Sequence, residues 1–475
     1  MLKPSTTPLS GKQIQTGLSF VTKDGVFTEA MVAFTGGTFL VAMAMQMGAS
    51  NFQIGLLASL PTLSNIFQLV SIWLVQRYNN RRAISVISSL FARFPLLVIG
   101  VLPFVFSART SVNALIFLLF FHYFFGAISG ASWNSWMKDL VPADKLGSYF
   151  SYRTRLAQIV NVVLSILTAL ATDYIKAKYP QYEPFAYPLM FVAGGITGMT
   201  AVYMMSRTPE PQAYLQNGHV LKMIRKPLKD VNFRKLLLFN STWAFSLNLA
   251  TPFLSVYLMK TLNIALSTII MLNILSQLSS ILFMRIWGNY SDRFSNKTVI
   301  RICAPAYILC MVGWSLVGNH MLTVPFLTFI HILSGLTTGG INLAITNIGM
   351  KLAPQEESIV YIAARNIVNA FIPALAPIFG GMLADFLVTH RMVADYSLKV
   401  PLGGNVITVF KFTNWNLFFM LSAAMAFGSL QFLKKVKEDG EVGKGHVVIE
   451  MFSTIKSRIE KRDFLWFKDK NQKRA

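Results

Sequence analysis

Long apolar runs separated by short polar breaks dominate this chain. A bilayer core takes about 20 mostly apolar residues per helix, and runs of that kind fall near 24–47, 52–75, 83–106, 112–137, 150–173 and 184–205. After a polar stretch at 206–234 they resume near 235–259, 267–289, 298–318, 322–350, 358–389 and 411–433. The pattern predicts an all-α polytopic membrane protein, with twelve transmembrane helices in two pseudo-symmetric six-helix bundles at 24–205 and 235–433. An N-terminal segment (1–23), a linker (206–234) and a basic tail (434–475) flank the bundles. Residues 1–23 lack the apolar core of a cleavable signal peptide, so the first span is expected to stay in the mature protein.

The polar breaks repeat as well. Gln76 to Arg82 follows the second run, and Gly288-Asn-Tyr-Ser-Asp-Arg-Phe-Ser-Asn-Lys297 follows the eighth. At an offset of 216, Arg293 falls on Arg77, Asn296 on Asn80 and Lys297 on Arg81. At 212, Pro354 falls on Pro142, Tyr361 on Tyr149, Arg365 on Arg153 and Asp385 on Asp173. His122-x-x-x-Gly126-x-x-x-Gly130 recurs 209 residues later as His331-x-x-x-Gly335-x-x-x-Gly339. Three sets of pairs in one order are the mark of an internal duplication.

Composition agrees with a membrane chain. Hydrophobic residues make up 53% of the sequence and charged ones 13%, against roughly a quarter charged in an average soluble domain. The net charge of +23 sits in short patches between apolar runs, with no nucleic-acid-binding motif beside them, so nucleic acid is not an expected partner. Those patches group on one side: Arg77, Arg81 and Arg82; Lys138 and Lys145; the linker; Arg293, Lys297 and Arg301; and the tail. Positive residues stay inside, so both termini are expected in the cytoplasm and the chain in the plasma (inner) membrane.

Candidate enzyme chemistry is sparse. The six His are scattered, and neither H-E-x-x-H nor G-x-x-x-x-G-K-[ST] occurs, so no enzyme, ATP-driven pump, metal or cofactor is expected. Cys303 and Cys310 share one run and read as small core residues. Lys399 to Phe410 alternates about a Gly-Gly pair and predicts a β-hairpin. In the tail, Val448, Phe452, Ile455 and Ile459 recur at helical spacing beside Lys456 and Arg462, which predicts an amphipathic helix on membrane lipids.

Twelve spans in a 6+6 arrangement, the basic linker and the loop G-x-x-S-D-R-F-S-N-K together resemble the major facilitator superfamily of secondary transporters, over about residues 20–435. The family's loop, approximately G-x-L-a-D-r-x-G-r-k, is carried here by Gly288, Asp292, Arg293 and Lys297, with Ser295 where the family has Gly. In the first copy, Ile72 and Gln76 stand at the positions of the leading Gly and the Asp. The resemblance implies a small-molecule substrate, a monomer, and a central cavity lined by spans 1, 4, 7 and 10. It also implies a cytoplasmic gate in which Asp292 meets the start of span 5 near Ser148, with Arg153 close by. The matching contact of Gln76 near Ser358 and Arg365 lacks a formal charge and is expected to be weaker.

Polar residues inside spans are the remaining candidates. His122, Ser129 and Trp133 form one helical stripe, and His331, Ser334, Thr338 and Asn342 another. These either face substrate or join helices by hydrogen bonds. Glu29 lies within the first span, where an ionisable group is functional by default; it either binds and releases a proton or pairs with Arg93. Arg93 either attracts an anionic solute or neutralises a carboxylate, and Asp24 is expected at the membrane interface. Asn248, Thr251, Tyr257, Asn273 and Gln277 are further polar candidates, and Pro377-x-x-Gly380-Gly381 predicts a bend. The function expected is alternating-access transport of a small polar or charged organic solute with a proton coupled. Efflux of lipophilic compounds and a transport-dead sensor are the alternatives.

Overall fold

The computed structural model describes residues 9–212, 225–318, 322–354, 358–390, 396–402 and 405–438. The amphipathic tail segment expected at 448–459 lies outside the described residues. The first half holds α1 (Gly11–Gln46), α2 (Asn51–Tyr78), α3 (Arg81–Ile99), α4 (Ala108–Leu140), α5 (Leu146–Lys178) and α6 (Glu183–Ser206). The second holds α7 (Val231–Val256), α8 (Leu266–Arg293), α9 (Asn296–Trp314), α10 (Thr323–Lys351), α11 (Ser358–His390) and α12 (Asn414–Lys434). Among the described residues, eleven of these helices are long and apolar enough to cross a membrane, and α7 completes the second set.

Helix α1 begins well before the expected start at residue 24, because Ser10 and Gln13 close a capping box around its first turn. It breaks at Gly36, and Gly37 follows with a φ of 53° that a residue with a side chain rarely adopts. Helix α7 ends in a π-helical turn at Tyr257–Thr261, after Pro252 has removed one backbone donor. The matching loops after α2 and α8 both turn through positive φ, at Asn79 (46°) and Ser295 (155°), which accounts for the glycine the resembled family places there. The expected hairpin is present as β1 (Tyr396–Leu402) paired antiparallel with β2 (Asn405–Phe412).

Within the first half, α1 packs on α5 and α6, and α3 on α4 and α6; within the second, α7 packs on α11 and α12, and α8 and α9 on α10. The halves meet through α2 with α11 and α5 with α8. Twelve alternating helices place the linker and the loops at 79–80 and 294–295 at one end, the linker end. The β-hairpin marks the opposite one, the hairpin end.

The two His-x-x-x-Gly repeats pack differently. Gly335 and Gly339 let α10 lie directly on the backbone of α8 at Ser276 and Ser280, as small residues do in bilayers. Gly126 and Gly130 face open space; hydrogen bonds at the α3–α4 contact include the Ser129 hydroxyl donating to the Ser85 carbonyl and accepting from the Ser89 hydroxyl. Gly335→Val is therefore expected to destabilise the purified protein by about 2 kcal/mol or more, lowering its melting temperature sharply. Gly126→Ala is expected to leave it unchanged or raise it slightly, through about 0.5–1 kcal/mol of helix propensity. Thermal unfolding followed by circular dichroism separates the two.

Candidate functional site

At the hairpin end, two carboxylates cross from one half to the other and cap helix N-termini. Asp173 of α5 accepts hydrogen bonds from the Leu266 and Ser267 amides of α8, at 3.2 and 2.8 Å. Asp385 of α11 accepts from the Asn51 and Phe52 amides of α2, at 3.1 and 2.8 Å, and from the Asn51 side chain at 2.8 Å. The first amides of a helix lack partners within it and carry the positive end of its dipole, so a carboxylate satisfies both. Beside the second clasp, Gly55 of α2 touches the Pro377 carbonyl of α11, and Gly381 touches Asn51. The Pro377–Gly381 segment, expected as a bend, is thus where α11 packs on α2 across the two halves.

Beneath the clasps lies a cavity of about 340 Å³, lined by the broken part of α1 (Gly37, Thr38), by α2, Tyr123, α7 (Thr251, Ser255), Asn273, Trp314 and His331. A second cavity of about 130 Å³ shares Thr251, Asn273, Trp314 and His331 with it and runs between α7, α8, α9 and α10 past Ser276, Ser334, Tyr307 and Cys310. A hydrogen bond from Asn273 to Thr38, 3.3 Å, crosses the two halves here. Breaks in α1 and α7 next to a site between two repeats are the usual construction of a midplane binding site.

Toward the linker end, the first half buries a charged cluster. Asp24 is 4% exposed and lies 3.4 Å from Arg153 of α5 and 3.9 Å from Arg93 of α3. Arg93 also donates to the Thr28 hydroxyl and the Gly198 carbonyl, both at 3.0 Å. Gly25 and Gly198 leave room for the two arginines, since a Cβ at either would meet Arg153 or Arg93. Asp24 is therefore no interfacial carboxylate: its helix starts at Gly11, which carries it inside the bundle. Nor does Arg93 pair with Glu29. The Glu29 carboxylate is half-buried and faces α5, where it accepts from Asn161 at 3.2 Å.

At the linker end itself, each half is closed by its own carboxylate. Glu210, just past α6, accepts from the Arg81 and Arg82 amides (2.9 and 3.0 Å) and from the Arg81 side chain, which also reaches Asp139 of α4 at 2.5 Å. Glu438, just past α12, accepts from the Asn296 and Lys297 amides (3.3 and 2.7 Å) and from Lys351 of α10 at 3.3 Å. The sequence signal for these pairs is their common place, a few residues after the last helix of each half. Asp173 and Asp385 carry a clearer one, as acids at the 212-residue offset near the ends of their runs.

The expected gate residues stand apart in this conformation. Asp292 is exposed, and no hydrogen bond or ion pair involving it is present among the described residues. Its expected contact near Ser148 would close the linker end, whereas here the hairpin end is closed. Gly288 lies against Leu343 of α10, and Arg293 is exposed beside the Phe294 ring. Lys297 is buried and donates to the Val436 carbonyl at 2.7 Å, holding α9 to the end of α12. Arg365 donates to the Thr346 carbonyl of α10 at 3.2 Å, and Arg153 lies over the Trp133 ring at 4.8 Å.

Of the expected substrate-facing residues, His331 lines both cavities. His122 spends its Nδ1 on the Ala92 carbonyl of α3, 2.7 Å away, and Asn248 bonds its own helix at Ala244. Asn342 is exposed on α10. Among the additional polar candidates, Thr251 and Asn273 line the cavities, while Tyr257 donates to the Val317 carbonyl at 2.7 Å. The residues that sequence reasoning missed are Thr38, Tyr123 and Trp314, because nothing local distinguishes them from lipid-facing neighbours. Among the described residues no cluster of His, Cys, Asp and Glu has the makings of a metal site.

A family model described as Major Facilitator Superfamily matches residues 25–377 and again 236–447. No curated protein matches the sequence. Among solved structures, the nucleoside transporter NupG superposes with a TM-score of 0.64 at 13% identity, covering 89% of this chain and 99% of that one. A D-xylose-proton symporter gives 0.62 at 14% identity, with coverage of 90% and 100%. A bacterial homolog of the human lysosomal transporter Spinster, inward-facing and unoccupied, gives 0.60 at 13%, with 91% and 100%. At these identities the structural likeness is one of fold. With the family model spanning most of the chain and two six-helix bundles enclosing a cavity, this protein belongs to the major facilitator superfamily, whose members are membrane transporters and not enzymes.

Proposed function

We propose that the protein carries a small organic solute across the plasma (inner) membrane by alternating access, with the termini and linker in the cytoplasm. The observation that carries this reading is the pair of cross-bundle clasps, Asp173 on α8 and Asp385 on α2, above a cavity between the halves. The clasps hold the hairpin end shut, while Asp292 stands free of its expected partner at the linker end, which on this reading is the cytoplasm-facing state. The opposite state needs both clasps to open and the Asp292 contact to form.

Each clasp is a carboxylate on a helix dipole, worth about 0.3–2 kcal/mol. Replacing both Asp173 and Asp385 with Asn is therefore expected to shift the balance toward the hairpin-open state by roughly threefold or more. Spin labels at Lys178 and Lys260, exposed on opposite halves at that end, read the change by double electron-electron resonance. An unaltered distance distribution in the double variant would remove the clasps from the gating mechanism.

We also propose proton coupling through Glu29, because it is the half-buried carboxylate of α1 without an arginine against it, unlike Asp24. In proteoliposomes, with a solute identified by a thermal-shift screen, Glu29→Gln is expected to abolish uptake driven by a pH gradient and to spare solute exchange. Wild-type pH dependence in that variant refutes the proposal. Asp24→Asn is expected to act differently, lowering stability by about 3–5 kcal/mol because it leaves two buried arginines without their carboxylate.

A further inference from the structure

We infer that the solute carried in the central cavity is electrically neutral, carries both hydrogen-bond donors and acceptors along one edge, and bears a flat ring. The inference rests on the transporter reading above and narrows its substrate from a polar or charged solute to a neutral one.

Charge is the first argument. Among the described residues, the lining of the two joined cavities contains no Asp, Glu, Lys or Arg. An ion moved into such a space gives up its hydration and meets no opposite charge in return. The buried charges of the first half are engaged with one another around Asp24 and do not line the cavity. A cation over the Trp314 ring would recover only part of that loss.

Hydrogen-bond valence is the second. His331 Nδ1 lies 2.8 Å from the Leu327 carbonyl, which can only accept, so Nδ1 carries a proton and Nε2 of the neutral ring is an acceptor. The Ser334 hydroxyl donates to the His331 carbonyl, which leaves Ser276 to donate across their 3.3 Å contact. The Thr251 hydroxyl is spent on the Leu247 carbonyl, and one Asn273 amide hydrogen on Thr38. The acceptors left on the wall include His331 Nε2, Asn273 Oδ1, and lone pairs on Thr251 and Ser276. Donors line it too: the second Asn273 N–H, the Trp314 indole N–H, and the hydroxyls of Thr38, Ser255, Tyr123 and Tyr307. A solute matching this wall both donates and accepts hydrogen bonds.

Shape is the third. Polar groups cluster on α8 and α10, whereas the facing wall from α1 and α2 is apolar (Leu40, Val41, Ile54, Leu57) apart from Thr38. The Trp314 ring stands at one side, edge-on to His331 with centroids 5.5 Å apart. A flat ring against the apolar wall and Trp314, with hydroxyls toward Asn273 and His331, satisfies both sides at once. The volume of about 340 Å³ falls near the lower end of the roughly 300–1,000 Å³ of small-molecule sites.

Uridine, uridine 5′-monophosphate and 5′-amino-5′-deoxyuridine share one ring and one sugar and differ in charge, so they serve as probes. Isothermal titration of the full-length protein is expected to show uridine binding at least tenfold more tightly than either charged relative. His331→Phe keeps the ring against Trp314 but removes the Nε2 acceptor, and should weaken uridine by about tenfold. Thr251→Val, a smaller change on another helix, should weaken it in the same direction. Equal or tighter binding of a charged probe, or binding of none of the three, overturns the inference. Proteoliposomes loaded with an isotope-labelled metabolite extract separate this outcome from failure of the transporter reading. Exchange confined to charged solutes overturns the neutral assignment alone, and exchange of no solute overturns the transport proposal.

Discussion

Unpaired amides at helix N-termini set the terms of this structure. In a bilayer there is little water to satisfy them, so each buried helix start needs an acceptor from elsewhere in the chain. Glu210 serves α3, Glu438 serves α9, Asp173 serves α8 and Asp385 serves α2. The first two lie within one half each and are almost fully buried, at 1% and 6% exposure. The second two reach across the halves and are only half-buried. Breaking an internal cap strands buried amides and a buried carboxylate, whereas water can take over at either clasp. Energetics therefore favour motion between the halves over distortion within one.

The duplication is exact enough to place equivalent helices and loose enough to divide their chemistry. Arg153 and Arg365 occupy matching positions, but Arg153 meets a carboxylate while Arg365 meets backbone carbonyls of α10. At the 216-residue offset, Asp24 falls on Asn240, which is buried and neutral. The linker-end networks differ in sign as well: Asp139 bonds Arg81 in one half, and Lys351 bonds Glu438 in the other. Ionisable groups thus concentrate in the first half, and neutral hydrogen-bonding groups of the cavity in the second. An ion site and a neutral solute site can then coexist without the charge of one dominating the other.

The class of fold was legible because its signal is collective. Runs of about 20 apolar residues and a repeat offset survive many local substitutions, so helix count, order and the hairpin could be read directly. Individual contacts were less accessible. Asp24 looked interfacial because an apolar run begins beside it, but the helix had begun at Gly11 on a polar capping box. Glu29 looked like the partner of Arg93 because both are charged and mid-span. Helix rotation decides such pairing, and a single sequence does not fix rotation. The repeat of Asp173 at Asp385 was visible as a spacing, but its meaning depended on α2 and α8 both starting at the same end of the molecule.

The Asp173 clasp has a side chain on one side only, and the Asp385 clasp adds just the Asn51 side chain on the other. Apart from that one amide, what Asp173 and Asp385 bind is peptide backbone, so Leu266, Ser267 and Phe52 take part through atoms that every residue except proline possesses. Most of the receiving side is therefore invisible to selection acting on side chains. A salt bridge weakened at one partner can be restored by a reciprocal change at the other, but a lost aspartate here has no such counterpart. Evolution can tune this gate through the two carboxylates and the helix starts they meet, and no exchange of charges across the seam can substitute for them.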